Sequence, residues 1–464
     1  MTDGTLTPSW RDARVPDGFT LTAVGDLVLD DALTPLLEAR SPGLLELLRS
    51  ADVTFGNFES TAVDPGTFGG WPEAESGGSW LISTPQVPAD LRRMGFDMVA
   101  RANNHTTDWG VAGMRSTDHL LTQAGIVHAG TGATLADARA PRFLTTPSGR
   151  VSLVSVATRF EAMSRAADAL GRVPGRPGVN ALRTTKHVCV PTHRLSELIL
   201  IRDALPPGSV RASALEADRR DGTVTLFGTK YAAKPGPEPH TDAVEFRFSV
   251  HEQDRHEVLH AIRQAKQTSD FAIATMHTHE PGNYSQEPPD FLPLIAREAI
   301  DSGADAFISH GPHQLRGIEI HRGRPIFYSL GNFFFMENTQ QPLTRGAYDK
   351  DPTLPGETEA EFLERKRVHG VFGEQIWYES VVAVSRHAGD GTLTAVELHP
   401  IELHWAGPRD ADRGIPRLAE PAAAERILRR LQRLSEPFGT EILIKEGIGH
   451  LILGSPRKPK PTPV

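Results

Sequence analysis

Apolar and polar positions along this chain follow two rhythms. Short runs rich in Val, Ile and Phe occur at "FTLTAVG" (19–25), "DVTFGN" (52–57), "DMVARA" (97–102) and "VSLVSVA" (151–157). Others follow at "FAIATM" (271–276), "AFISH" (306–310) and "PIFYSL" (325–330), and all seven predict strands. Between them, apolar residues recur at helical spacing over 86–95, 110–124, 251–267 and 290–302. The segment "GVAGMRSTDHLLTQAG" closes on Gly125, a helix stop. Strands alternating with helices predict a layered α/β domain. Later, "SVVAVSRHAGDGTLTAVELHPIEL" (380–403) reads as two strands joined by a Gly-Asp-Gly turn.

Two stretches break this rhythm, at about 160–250 and 337–375. The first is rich in Arg and Pro, the second polar and charged. Connections of this length in a compact domain serve as functional insertions or mobile lids. The expected organisation is a domain over 18–405 carrying both insertions, a C-terminal helical extension over 406–454, and a tail. That tail, 455–464, is proline-rich and basic and is expected to be disordered.

Composition narrows the function classes. With 464 residues, 39% of them hydrophobic, the chain can bury a sizeable core. A formal charge of −9 argues against nucleic acid as a partner. The single cysteine, Cys189, excludes an internal disulfide and a cysteine-rich zinc site. The first residues lack the basic start and apolar run of a signal peptide. No stretch reaches the roughly 18–20 apolar residues of a membrane helix, so a cytoplasmic location without a membrane partner is expected. Oligomeric state has no signature here.

The polar residues fall at strand ends. "TAVGD" ends at Asp26, "VTFGNFE" at Asn57 and Glu59, and "MVARANNH" at Asn103, Asn104 and His105. "AIATMHTHE" ends at His277, His279 and Glu280, and "AFISHGPH" at His310 and His313. In open α/β sheets, ligands collect beyond the carboxyl ends of strands. Each residue alone has an ordinary reading: Asp26 can cap a helix, Glu59 can be a surface charge, Asn104 can tolerate a left-handed turn. His128, His187 and His399 are read as structural. Five strand ends together form an oxygen and nitrogen donor set suited to a divalent metal.

"GDLVLD", "NFES", "ANNHTTDWG", "RPGVN", "HTHE" and "SHGPHQLRGIEIHRGRPIFYSLGNFFF", in this order, resemble the capsule-assembly (CapA-type) poly-γ-glutamate biosynthesis proteins. These are similar to calcineurin-like metallophosphoesterases. The resemblance covers about residues 18–335 and implies a four-layer α/β/β/α sandwich with a one- or two-metal site. It implies Asp26, Glu59, Asn104, His277, His310 and His313 as metal ligands and His105 as a catalytic histidine. No organic cofactor is implied, and the donors do not choose among Mn, Zn, Fe, Mg and Ca. The chain departs from the superfamily pattern at Val28, where a histidine is expected, and at Glu59, where an aspartate bridges. His310 and His313 are also one residue further apart. The first metal site is therefore expected to be weak, and the second (Glu59, Asn104, His277, His310) nearly complete. His279 departs from the capsule family's usual glycine.

Three functions follow. The resemblance extends to a soluble branch that inverts the C-terminal residue of lasso-peptide precursors, which implies a peptide epimerase. His105 and His279 would then act as paired acid and base, with a reference pKa of about 6.5 suiting both roles. Arg101, Arg316 and Asn332 would bind the peptide substrate. The alternatives are a metal-dependent phosphoesterase, and a soluble protein of poly-γ-glutamate synthesis or binding.

Overall fold

The computed structural model describes residues 12–74, 79–206, 208–235, 242–337, 343–351, 353–370, 372–405 and 412–453. Two sheets face each other. The first runs in the order Ile442–Lys445, Ile448–Leu451, Leu393–Glu402, Glu379–His387, Phe19–Val28, Val53–Phe58, Met98–Ala100, Val127–Ala129. The strand Asn332–Phe335 also pairs with Phe19–Val28, in parallel. The second sheet runs Ile318–His321, Arg324–Phe327, Ala306–His310, Phe271–His277, Gly149–Ala157, Arg142–Thr146.

Alternation along the strands builds three cores. Leu21, Ala23, Phe55 and Met98 of the first sheet pack on Leu153, Phe271, Ile273 and Ile308 of the second. Val24, Leu27 and Phe58 point the other way, onto helical Leu44, Leu48, Leu91 and Leu121. The outer face of the second sheet buries Val154, Ala274 and Phe307 against Val258, Ile262, Ile295 and Ala299. The period of two along each strand creates both faces, so helices flank two apposed sheets. This is the α/β/β/α layering that the family resemblance implied.

The seven expected strands and four expected helices are all present, with ends shifted by a few residues. Examples are Phe19–Val28, Phe271–His277 and Glu252–Gln267. The region near 160–250 folds into a small sheet of its own, ordered Thr223–Leu226, Thr229–Ala233, Thr184–Val190, Glu245–Val250, with two helices. A separate apolar cluster of Val190, Leu195, Val224 and Leu226 holds it together.

The C-terminal segment corrects one expectation. It holds the helix Pro421–Ser435, but also the hairpin Ile442–Lys445 and Ile448–Leu451, which extends the first sheet. The β-branched residues of "EILIKEGIGHLI" favour strand pairing over helix once a sheet edge is available. The tail expected to be disordered lies outside the described residues.

Candidate metal centre

Parallel strands deliver their polar ends to one place. Gly25 makes this possible, because a Cβ there would lie 1.8 Å from the Gly331 carbonyl oxygen. The bare backbone lets Asp26 N donate to that oxygen at 3.0 Å, next to the register shift that turns the Asp26 side chain inward. Asn57 then sets the hub. Its Nδ2 donates to Asp26 Oδ1 at 2.8 Å and faces His277 Nδ1 at 3.2 Å.

The ligand atoms converge beyond this hub. Glu59 Oε1 lies 3.4 Å from His277 Nε2 and 4.0 Å from Nε2 of both His279 and His313. Asn104 Oδ1 lies 2.7 Å from His277 Nε2 and 3.0 Å from His279 Nε2. Metal bonds of about 2.1 Å set neighbouring ligand atoms about 3.0–3.5 Å apart; the 3.4 and 3.0 Å separations fall in that range, and the 2.7 and 4.0 Å ones lie within about half an ångström of it. Among the described residues, two groups have metal-holding geometry: Asp26, Glu59 and His277, and Glu59, His279 and His313. Glu59 belongs to both. Its buried Oε1 has no hydrogen-bond partner, and neither ring nitrogen of buried His310 has one. Such atoms are costly to leave unmatched, and a cation held by either group satisfies Glu59 Oε1. The residues therefore fit a divalent metal.

Electrostatics support the same fit. Burial raises Asp26 to about 7, against the opposing hydrogen bonds from Asn57 and Gly311. Burial, reinforced by the Asp26 charge, raises Glu59 well above the usual carboxylate range. Burial lowers His277 well below its usual value and brings His279, His310 and His313 to about 3. All four rings are neutral near pH 7 and offer lone pairs. The carboxylate pair, crowded without a cation, is what a divalent ion relieves.

Several expectations need correcting. His279, expected as a catalytic base, stands among the ligand atoms, fixed by Asn283 Oδ1 at 2.7 Å from its Nδ1. Val28, where the superfamily pattern has a histidine, packs instead in an apolar cluster with Leu81, Phe335 and Trp377. His279 gives Glu59 and His313 a third side chain. His310, expected in the second site, is in neither group; its ring lies 5.6 Å from Phe55 and its Nδ1 3.6 Å from Asp26 Oδ1. Arg101 and Arg316, expected to bind substrate, are fully buried and do not line the cavity over the centre. Arg101 braces the carbonyls of Phe58 and Ser60, and Arg316 those of Glu280 and Ser285. Asn332, also expected at substrate, instead holds His313: its Oδ1 lies 2.9 Å from His313 Nδ1, and its Nδ2 donates to the His313 carbonyl. His313 needs that grip because its φ of 57° is left-handed.

His105 lines the cavity together with Asn104, His279 and His313, in a volume of about 1470 Å³. Its Nδ1 lies 2.7 Å from Asp108 Oδ2, which also accepts the Leu81 N–H. Burial pulls His105 down, but the Asp108 charge and hydrogen bond outweigh it, and the net shift is upward. Asp108 was missed in the sequence, although its spacing of three from His105 within a turn was available as a signal. Glu337 and Arg159 also line the cavity. Arg159 follows the end of Gly149–Ala157, so the strand-end rule would have found it.

The sequence model described as "Bacterial capsule synthesis protein PGA_cap" matches residues 20–337. Two proteins of Sinorhizobium fredii (strain NBRC 101917 / NGR234), called uncharacterized proteins y4uA and y4sH, are each 46% identical to it over 450 residues. Those alignments cover 94% of this chain and 93% of each relative. The PGA biosynthesis protein CapA of Bacillus subtilis (strain 168) is 23% identical over 327 residues, 69% of this chain and 64% of that protein. The chain belongs to the bacterial capsule synthesis PGA_cap family.

Proposed function

We propose that this chain is a metal-dependent hydrolase that cleaves an amide bond in a chain of the poly-γ-glutamate type. The observation that carries the reading is the approach of Glu59 Oε1 to three imidazole Nε2 atoms, with the His105–Asp108 pair lining the same cavity. The family description and the name of the CapA relative support an amide-linked glutamate polymer as the substrate class.

A divalent ion, when bound, supplies a Lewis acid for a carbonyl oxygen and lowers the pKa of water to about 7. Asp26, Glu59 and His277 would hold one such ion and Glu59, His279 and His313 a second, with Asn104 Oδ1 close to both His277 and His279. Asn57 orients Asp26, Asn283 orients His279, and Asn332 orients His313. An amide nitrogen leaves only when protonated, and His105, pulled upward by Asp108, carries the proton for it. Water's oxygen bonds to the carbonyl carbon and the C–N bond breaks. His105 gives a proton to the departing nitrogen and recovers one from the water.

Inversion of an α-carbon is the weaker reading. It needs His279 to take and return protons near neutrality, yet burial holds this ring at about 3 and its Nε2 faces Asn104 and His277. Phosphoester cleavage could use the same centre. The test is incubation of metal-loaded protein with a γ-linked glutamate oligomer and, separately, with a chromogenic phosphodiester. New primary amine in the first reaction is expected. Phosphodiester turnover without amine release would overturn the amide reading, and deuterium incorporated at an α-carbon without cleavage would favour inversion.

A further inference from the structure

The cavity over the metal centre is larger than the roughly 300–1,000 Å³ of ordinary small-molecule pockets, at about 1470 Å³. One wall belongs to the small sheet inserted near 160–250, through Thr184–Lys186 and Phe248–His251. The charges on that wall are unequal in their partners. Arg183 is locked to Asp254 at 2.7 Å, and Arg220 to Asp221 at 3.0 Å. Glu252 accepts from Arg255 at 2.7 Å.

Three lining cations remain without an acidic partner among the described residues: Arg159, Arg165 and Lys186. Lys186 rests over the Phe246 ring at 3.6 Å, which steadies the ammonium without neutralising it. Arg159 is exposed and close enough to His279 for its charge to depress that ring further. The lining acids without an ion pair among the described residues, Glu280 and Glu337, belong to the metal end, and the charge of Glu280 acts on buried Arg316. Glu280 is adjacent in sequence to His279, and the charge of Glu337 acts on Glu59 and His105. In a chain of net charge −9, three unneutralised cations on one cavity are not a by-product of general basicity.

We propose that Arg159, Arg165 and Lys186 form a subsite that reads the carboxylates of an acidic peptide chain and holds it along the cavity, running away from the metal centre from Arg159. Two cations on the connection after Gly149–Ala157 and a third on the strand Thr184–Val190 suit a chain bearing repeated carboxylates. The inference rests on the hydrolase reading for what the chain is held for, and not for the binding itself.

The test is the fluorescence anisotropy of a fluorescein-labelled γ-linked decaglutamate with the full chain at low ionic strength. The wild type should bind it, and affinity should fall steeply with added salt. Combined Arg159→Gln, Arg165→Gln and Lys186→Gln should weaken binding about tenfold or more, with metal affinity unchanged by calorimetry. If the triple variant fails to fold, Lys186→Gln alone, at an exposed position, should still weaken binding measurably. Unchanged affinity in the folded variants, equal binding of a neutral decaglutamine, or binding of inorganic polyphosphate but not decaglutamate would each overturn the proposal. If the protein holds no metal yet binds decaglutamate through these cations, the subsite stands and the hydrolase reading fails.

Discussion

Nε2 of His277 lies 2.9 Å from Nε2 of His279. Two neutral imidazole nitrogens this close can share only one proton, and Asn104 Oδ1 stands within hydrogen-bond distance of both. A cation removes the conflict by taking the lone pairs. His279 belongs with Glu59 and His313, whereas His277 belongs with Glu59 and Asp26. His279→Ala should therefore abolish one of two metal-binding events and leave the other within a few-fold of wild type. Calorimetric titration with Mn counts them. Loss of both events together, or of neither, would contradict the division into two groups.

Much of this was legible from sequence because the strands are short, apolar and regularly spaced, and because parallel strands deliver their ends to one edge. The convergence of Asp26, Glu59, Asn104, His277 and His313 on one cluster was legible that way, while their roles as ligands were implied by the family resemblance. Arg101 and Arg316 were misread because an arginine beside a strand end looks the same whether it meets a ligand or braces buried carbonyls; only the fold shows their burial. His279 was misread because two histidines two residues apart do not reveal where each ring turns. That direction is set by Asn283, from the loop that follows. The C-terminal hairpin was missed because its pairing partner, Leu393–Glu402, lies some fifty residues earlier in the chain.

Asn332 is a positioning residue for His313. Its amide contacts both the ring nitrogen and the carbonyl of a residue in a left-handed conformation. Asn332→Ala should lower metal affinity about 10–100-fold, the usual cost of losing a group that orients a ligand. It should also destabilise the fold by about 1–3 kcal/mol, because the Trp377 carbonyl loses its donor. Unchanged metal affinity in a folded variant would remove Asn332 from this role.

Asp108 acts through His105. Asp108→Asn keeps the shape but removes the charge that, with its hydrogen bond, shifts His105 upward against burial. Turnover should fall about a hundredfold or more, with metal content and KM little changed. A loss of metal equal to the loss of turnover would show that Asp108 supports the fold of the centre instead.

His387 reports on the core, away from the site. It packs against Phe271, which lies between it and Phe19; its Nδ1–H donates to the Gly391 carbonyl and its Nε2 faces Ser385 Oγ, each 3.0 Å away. Burial lowers it to about 4, so the folded state keeps it neutral while the unfolded chain protonates it near 6.5. Between these values the unfolded state binds more protons. The contribution is full above pH 6.5 and is lost as pH falls toward 4, an amount of about 3 kcal/mol. Denaturant titrations should show His387→Gln with a shallower loss of stability than wild type across this window. Parallel pH profiles would contradict the assignment.

Glu59 carries the central claim, since both ligand groups share it. The most direct measurement is the rate of primary-amine release from a γ-linked glutamate oligomer as Mn is titrated into metal-stripped protein, with Glu59→Gln alongside. The wild-type rate should rise from near zero and saturate with metal, while Glu59→Gln should show no metal-dependent rate at an unchanged unfolding midpoint. Full activity in metal-stripped wild type, or a Glu59→Gln rate equal to wild type, would contradict a metal-dependent hydrolase.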